Sequence, residues 1–141
     1  LPLISVAEDL QLTVDETFTE ELGKKLYINF GEWRVVDGVL RTRQLAEDNH
    51  AAAARYAVET KVAKYSVRFR LTGRAKGFHF GFDPARGELD KKGHLFSVMV
   101  KPDSWLIMKH VDKNRREEDP AVIFRTIGDG VEIDDLKVWK R

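Results

Sequence analysis

A chain of 141 residues, 43% apolar and 33% charged, is long enough to bury roughly two-thirds of its unfolded surface around one core and too apolar to stay disordered. Its 24 Lys and Arg against 23 Asp and Glu leave a net charge of +1, which excludes the strong field that draws a protein to a polyanion, so no nucleic-acid partner is expected. The lack of cysteine excludes disulfides and thiolate chemistry, and no apolar run reaches the roughly 20 residues of a membrane helix, so no membrane span is expected.

The chain begins at Leu1 rather than Met, as a processed or trimmed product does, and a removed export signal is one route to that start. From there the apolar pattern runs mostly with period two, punctuated every 8 to 15 residues or about that, the spacing of an antiparallel two-sheet sandwich rather than a helical bundle. Residues 33–42 (WRVVDGVLRT) form the clearest unit. Asp37-Gly38 is the pair a two-residue type I′ hairpin needs, since both positions take positive φ. Residues 51–62 (AAAARYAVETKV) have the composition of a helix, yet four successive alanines also suit a strand crossed closely by neighbouring backbone. Both assignments stand at this point.

Residues 65–71 (YSVRFRL) alternate Tyr65, Val67, Phe69 and Leu71 with Ser66, Arg68 and Arg70, and residues 78–83 (FHFGFD) set three phenylalanines against His79, Gly81 and Asp83. Residues 94–100 and 105–110 flank Lys101-Pro102-Asp103-Ser104, where proline presets φ for a type I turn, and so predict a hairpin. The charge run at 112–119 (DKNRREED) mixes both signs and reads as a solvated loop. Residues 131–138 (VEIDDLKV) read as the closing strand, with an irregularity at Asp134-Asp135 that lets Leu136 and Val138 rejoin the apolar face. No repeat or linker divides the chain, so residues 1–141 are expected to form one domain.

Motif chemistry yields little. His50, His79, His94 and His110 have neither the spacing nor the clustering of zinc ligands, and Asp83, Glu88 and Asp90 do not follow a calcium-loop pattern. No metal or cofactor is expected. Glu88-Leu89-Asp90 and Glu132-Ile133-Asp134 imitate the glycosidase arrangement of alternating carboxylates, as in the family 16 glycoside hydrolases, but the second Glu that should follow is missing. No nucleophile elbow is present, and neither Gly73 to Gly77 nor Gly128-Asp129-Gly130 matches a phosphate or dinucleotide cradle.

Parity points instead to a face. With Val67, Phe69, Phe78, Phe80, Phe82, Phe96, Val98, Trp105 and Ile107 toward the core, alternation sends Ser66, Arg68, Arg70, His79, Gly81, Asp83, Ser97, Met99, Met108 and His110 to the other side. If these strands are neighbours, those residues share one polar surface. Pairing Lys101 with Ser104 sets Ser97 opposite Met108 and Leu95 opposite His110, with His94 on the core parity at a strand end. Planar charged donors, a carboxylate and hydroxyls around small residues suit a hydroxyl-rich ligand, and a carbohydrate is the expected partner.

Four stretches, NFGEWRVVDGVL (29–40), EDNHAAAARY (47–56), GFHFGFD (77–83) and IDDLKVW (133–139), together resemble the 3-keto-disaccharide hydrolase family. The resemblance runs from about Asp15 to Trp139. It implies a concanavalin-like (laminin-G-like) jelly-roll sandwich with a sugar site on a concave sheet, in a family many of whose members are exported by glycan-degrading bacteria such as planctomycetes. A secreted or periplasmic location follows from that resemblance. Active relatives cleave glycosides with a ketone at carbon three, which requires a base and a group that polarises the ketone. By residue type, His79 and His110 are the candidate catalytic bases, Arg68 or Arg70 the enolate stabiliser, and Arg68, Arg70, Asp83 and Ser97 the substrate contacts. The alternative is a non-catalytic glycan- or protein-binding module of the same fold.

One departure from the family is evident. Relatives carry several dozen further residues between the strand corresponding to AVIFRT (121–126) and the closing strand, where this chain passes straight from Thr126 to Ile127-Gly128. Either a segment is omitted, which predicts a spatial gap between Thr126 and Gly130, or the sandwich is shortened. A shortened sandwich has an open edge and uncovered apolar surface, which favours a dimer.

Overall fold

The computed structural model describes residues 9–19, 22, 25–59, 62–85, 94–111 and 119–141, of which 94–96 and 109–111 as backbone. Ten strands follow in chain order: β1 (Gln11–Glu16), β2 (Leu26–Phe30), β3 (Glu32–Val36), β4 (Val39–Arg43), β5 (Ala52–Ala57), β6 (Ala63–Leu71), β7 (Ala75–Asp83), β8 (His94–Val100), β9 (Trp105–Val111) and β10 (Ala121–Lys140). Every pairing is antiparallel. The protein is all-β, with no α-helix among the described residues.

The predicted local elements are present. Val36 pairs with Val39 around Asp37 (φ 51°) and Gly38 (φ 78°), as the hairpin motif requires. Lys101 N–H donates to Ser104 O at 2.8 Å, closing the β8–β9 hairpin. In β6, Tyr65, Val67, Phe69 and Leu71 are half-buried while Ser66, Arg68 and Arg70 are exposed. The alanine-rich stretch resolves as strand β5, where Ala52, Ala53 and Ala54 are all buried. The charged stretch at 112–118 lies outside the described residues.

β10 organises the sheet. At 20 residues it is about twice the length of a long ordinary strand, because AVIFRT and the expected closing strand are one element. Its first part, residues 121–128, lies between β5 and β7. Its second part, residues 129–140, lies between β6 on one side and β4 followed by β1 on the other. Residues 126–130 run through as part of this one strand. One half of the sheet therefore runs β2-β5-β10-β7-β8-β9, and the other β3-β4-β10-β6, with β1 pairing β10 further along on the β4 side.

The sheet turns a corner where the chain passes between halves. Gly130 sits there at φ +104°, and a Cβ on it would fall 1.8 Å from Thr72 Oγ1. Gln44 N–H donates to Gly128 O at 2.8 Å, its side-chain oxygen accepts from Gly128 N–H at 3.1 Å, and Thr72 N–H donates to Gly130 O at 3.0 Å. Thr42 and Thr126, both fully buried, share a 2.7 Å hydroxyl hydrogen bond across the corner. The bulge at Asp134 shifts register between Ile133 and Asp135, and this is why Ile133, Leu136 and Val138 all reach the interior.

Folding the sheet brings its two inner faces together in a sandwich-like arrangement. Phe69 of β6 packs on Phe78 of β7 with centroids 4.6 Å apart, and Tyr65 meets Phe80 and Phe82 edge-on at 6.4 and 6.1 Å. Burial in this layer pushes the Tyr65 phenol up to about 12. Leu40, Val131, Ile133, Leu136 and Val138 from one half, and Phe78, Val122 and Phe124 from the other, complete the core at 0% exposure.

The halves differ in width. β7 lies over β6, but β8 and β9 extend beyond it, and β6 pairs with β10 alone among the described residues. Trp105 and Ile107 share the core-facing side through the pairs Phe78 to Val100 to Trp105 and Phe80 to Val98 to Ile107. They are nevertheless 69% and 74% exposed.

Candidate functional site

The corner separates residues that parity alone had joined. β6 points its phenylalanine and tyrosine at β7, so Arg68 and Arg70 face outward from one half, while His79, Gly81, Asp83 and Ser97 face outward from the other. The single polar surface expected from the sequence is thus two surfaces on opposite sides of the core.

On the first of these surfaces, β10 supplies carboxylates to neutralise the arginines. Arg70 donates to Glu132 through Nε at 3.0 Å and through a guanidinium nitrogen, and Arg41 reaches the same carboxylate at 3.1 Å. The hydrogen bond from Arg70 holds the Glu132 carboxyl below the usual carboxylate range despite its burial, with Arg41 adding to the effect. Arg68 Nε lies 2.8 Å from Asp134 and its guanidinium 3.8 Å from Asp135. Glu132 and Asp134, which imitate a glycosidase pair, are therefore engaged as ion-pair acceptors. A carboxyl held ionised by two guanidiniums is a poor proton donor, and Arg68 and Arg70 are ion-paired to β10 while their side chains stay 70% and 76% exposed.

The second surface lies across β2, β5, β10, β7, β8 and β9. Register aligns Tyr27, Arg55, Ile123, Gly81, Ser97 and Met108 in one row, and Ala53, Arg125, His79, Met99 and Leu106 in the next. Ala121 pairs with Asp83 one row further along. Small side chains at Ala53, Ala121 and Gly81 keep the floor low, and polar groups rise around it. Arg55 Nη1 lies 2.5 Å from Asp83 Oδ2 and its other terminal nitrogen donates to Asp119 O at 2.7 Å, so the guanidinium is fixed from two directions. His79, Asp83 and Ser97 are only 6%, 4% and 4% exposed although they lie on the outer side of the sheet. Tyr27, by contrast, is 66% exposed at the end of its row.

Arg55 and Arg125 were not singled out from the sequence. The first sits in the stretch whose element type was open. The second lies in AVIFRT, where Val122, Phe124 and Thr126 alternate with Ile123 and Arg125, and that alternation was the available signal. His110 falls on the same parity through its pair Leu95. Its backbone lies two strands across and four residues along from the His79 row, roughly 17 Å away at ordinary strand spacings, so the two histidines do not form one catalytic pair. No protein-family model, curated protein or solved structure matches this chain.

The other histidines and acids stand apart. His50 stacks on Phe30 at 4.2 Å and its Nδ1 lies 2.7 Å from Ala51 O. Glu88 and Asp90 lie outside the described residues. Among the described residues no three His, Asp or Glu side chains converge as a metal site would need, and no helix is long and apolar enough to cross a membrane.

Proposed function

We propose that this protein is a concanavalin-like jelly-roll domain of the 3-keto-disaccharide hydrolase type, and that it handles a carbohydrate on the outer face of β5, β10, β7 and β8. The observation carrying this reading is the adjacent register placement of Arg125 and His79, flanked by the fixed Arg55–Asp83 pair and by Ser97 over a floor of small residues. These groups supply planar donors, a carboxylate acceptor and a hydroxyl, which is how hydroxyl-rich rings are recognised. The resemblance of the chain to that family adds the substrate class, and with it an exported location.

In the catalytic reading His79 is the base and Arg125 takes the polarising role first given to Arg68 or Arg70. The imidazole removes the proton from the ring carbon between the ketone and the anomeric centre. The electron pair moves onto the ketone oxygen, where a guanidinium stabilises the enolate. Collapse of the enolate breaks the anomeric carbon–oxygen bond, the departing oxygen takes a proton, and addition of water completes hydrolysis. A nearly water-free site strengthens each of these electrostatic terms.

Turnover of a synthetic 3-keto glycoside, followed by release of its leaving group, tests the proposal. His79→Ala is expected to lower turnover by at least about 100-fold, the usual worth of a positioned base, while leaving the circular dichroism spectrum intact. Unchanged turnover removes His79 as the base. The exposed ring of Tyr27 at the row's end favours a second reading, simple binding by stacking. In that case Tyr27→Ala weakens glycan binding, and no 3-keto glycoside is turned over by the parent protein.

A further inference from the structure

The two halves of the sheet are mismatched by two strands. β7 is covered by β6, whereas β8 and β9 have no counterpart on the other half among the described residues. The inner side of this hairpin presents Val98, Val100, Trp105 and Ile107 toward its turn, and Lys109 follows on the same parity of β9, paired with Phe96. Beside it runs the outer edge of β6, which has no partner among the described residues and whose core-facing residues Tyr65 and Phe69 already belong to the apolar layer. Among the described residues this apolar shelf lies next to an open strand edge, and exposed apolar surface of this kind marks an interaction site.

We propose that a second copy of this chain completes it. The vacancy is two strand positions wide, and the projecting hairpin of another copy is two strands wide. Related by a two-fold axis, each copy's β8–β9 hairpin lies in the other's gap, so that Trp105 and Ile107 of both copies face one another and each hairpin sits beside the other's β6 edge. The contact is isologous and closes on itself, leaving no further shelf to recruit a third copy. The exposed parts of these side chains and their half-buried neighbours amount to on the order of 1,000 Å² removed from water for the pair, the lower end for a specific interface. Interfaces at this low end of the size range are typically weak and reversible. This inference does not depend on the carbohydrate reading, because the shelf lies on the side of β8–β9 opposite Ser97.

Sedimentation velocity from low to high micromolar concentration is expected to show mass rising from one chain to two and stopping there. Ile107→Lys, at a position 74% exposed in the single chain, is expected to weaken association about a hundredfold, as loss of a central contact does. Ile107→Thr, which keeps strand propensity, serves if the lysine variant is poorly folded. Because the chain has no cysteine, Ile107→Cys provides a second measurement. It should oxidise to a covalent dimer far faster than Arg34→Cys, placed on an exposed outer position of β3. A single-chain mass at every concentration overturns the proposal. So does open-ended growth of the mass, or a dimer that persists unchanged in both Ile107 variants.

Discussion

Gly31 and Gly38 both have positive φ, +83° and +78°, yet replacing each by alanine should have very different costs. At Gly38 a Cβ meets nothing within 4 Å, so Gly38→Ala carries only the strain of a left-handed L-residue, about 1 kcal/mol. At Gly31 the same atom would lie 2.3 Å from Ala52 Cβ, 2.8 Å from Ala52 Cα and 2.8 Å from Arg43 O, where unstrained contacts need about 3.5 Å or more. Relief requires Ala52 or Arg43 to move by about an ångström, and both are paired to β10, at Thr126 and Asp129. Overpacking of that kind adds about 1–3 kcal/mol, giving roughly 3 kcal/mol in all. Urea unfolding followed by tryptophan fluorescence, to which Trp33 at 4% exposure contributes a buried indole, should place the Gly31→Ala midpoint lower by about 1.5 M and the Gly38→Ala midpoint lower by about 0.5 M, for a slope near 2 kcal/mol/M. Both variants stiffen the unfolded chain alike, so that effect cancels in the comparison. Equal losses at the two positions would refute the claim that the packing around Gly31 admits no side chain.

Three further outcomes follow from the ion pairs and the buried hydroxyls. Glu132 has a folded-state pKa below its ordinary value, so its contribution is present above about pH 4.3 and fades as pH falls from there through the lowered pKa. Glu132→Gln should flatten the acid limb of stability below that pH and cost about 1 kcal/mol at neutral pH, the figure kept small because both guanidiniums are open to water. Asp83→Ala strands the Arg55 guanidinium in a site where the two side chains are 16% and 5% exposed, and should cost about 3 kcal/mol by thermal melting. The double variant Arg55→Met with Asp83→Leu should recover most of that loss, and additive losses would show that the pair is not coupled. Thr42→Val leaves Thr126 without its 2.7 Å hydroxyl partner and should cost about 1–3 kcal/mol, whereas Thr13→Val on the exposed face of β1 should change the melting temperature little.

The parts of the fold legible in the sequence are those set by neighbours along the chain. Asp37-Gly38 dictates its hairpin by backbone geometry, Pro102 presets the β8–β9 turn, and alternation in β6 and β7 states which side of each strand is apolar. Parity cannot say to which outer face a polar side chain belongs. The connection Thr72-Gly73-Arg74 reads like an ordinary hairpin turn, but Thr72 N–H bonds to Gly130 O and Arg74 O accepts from Asp129 N–H. β6 and β7 therefore enter different halves, and Arg68 and Arg70 part from His79. The same corner hides the length of β10, because Gly128-Asp129-Gly130 has the composition of a loop while the chain passes through it as strand. The alanines of β5 are ambiguous for a related reason, since what selects strand is pairing with β2 and β10 on either side, contacts between residues far apart in sequence.

The position of β10 in the chain bears on how the molecule is made. β1, β4, β5, β6 and β7 all hydrogen-bond to this strand, and it is the last of the ten to leave the ribosome. Until its residues emerge, these strands lack the central element along which they align, and earlier hairpins such as β3–β4 and β8–β9 exist as separate pieces with apolar sides open to water. Pairings between segments so distant in sequence close slowly. Synthesis therefore passes through an interval in which the separately paired pieces lack their common strand and expose apolar sides that favour aggregation.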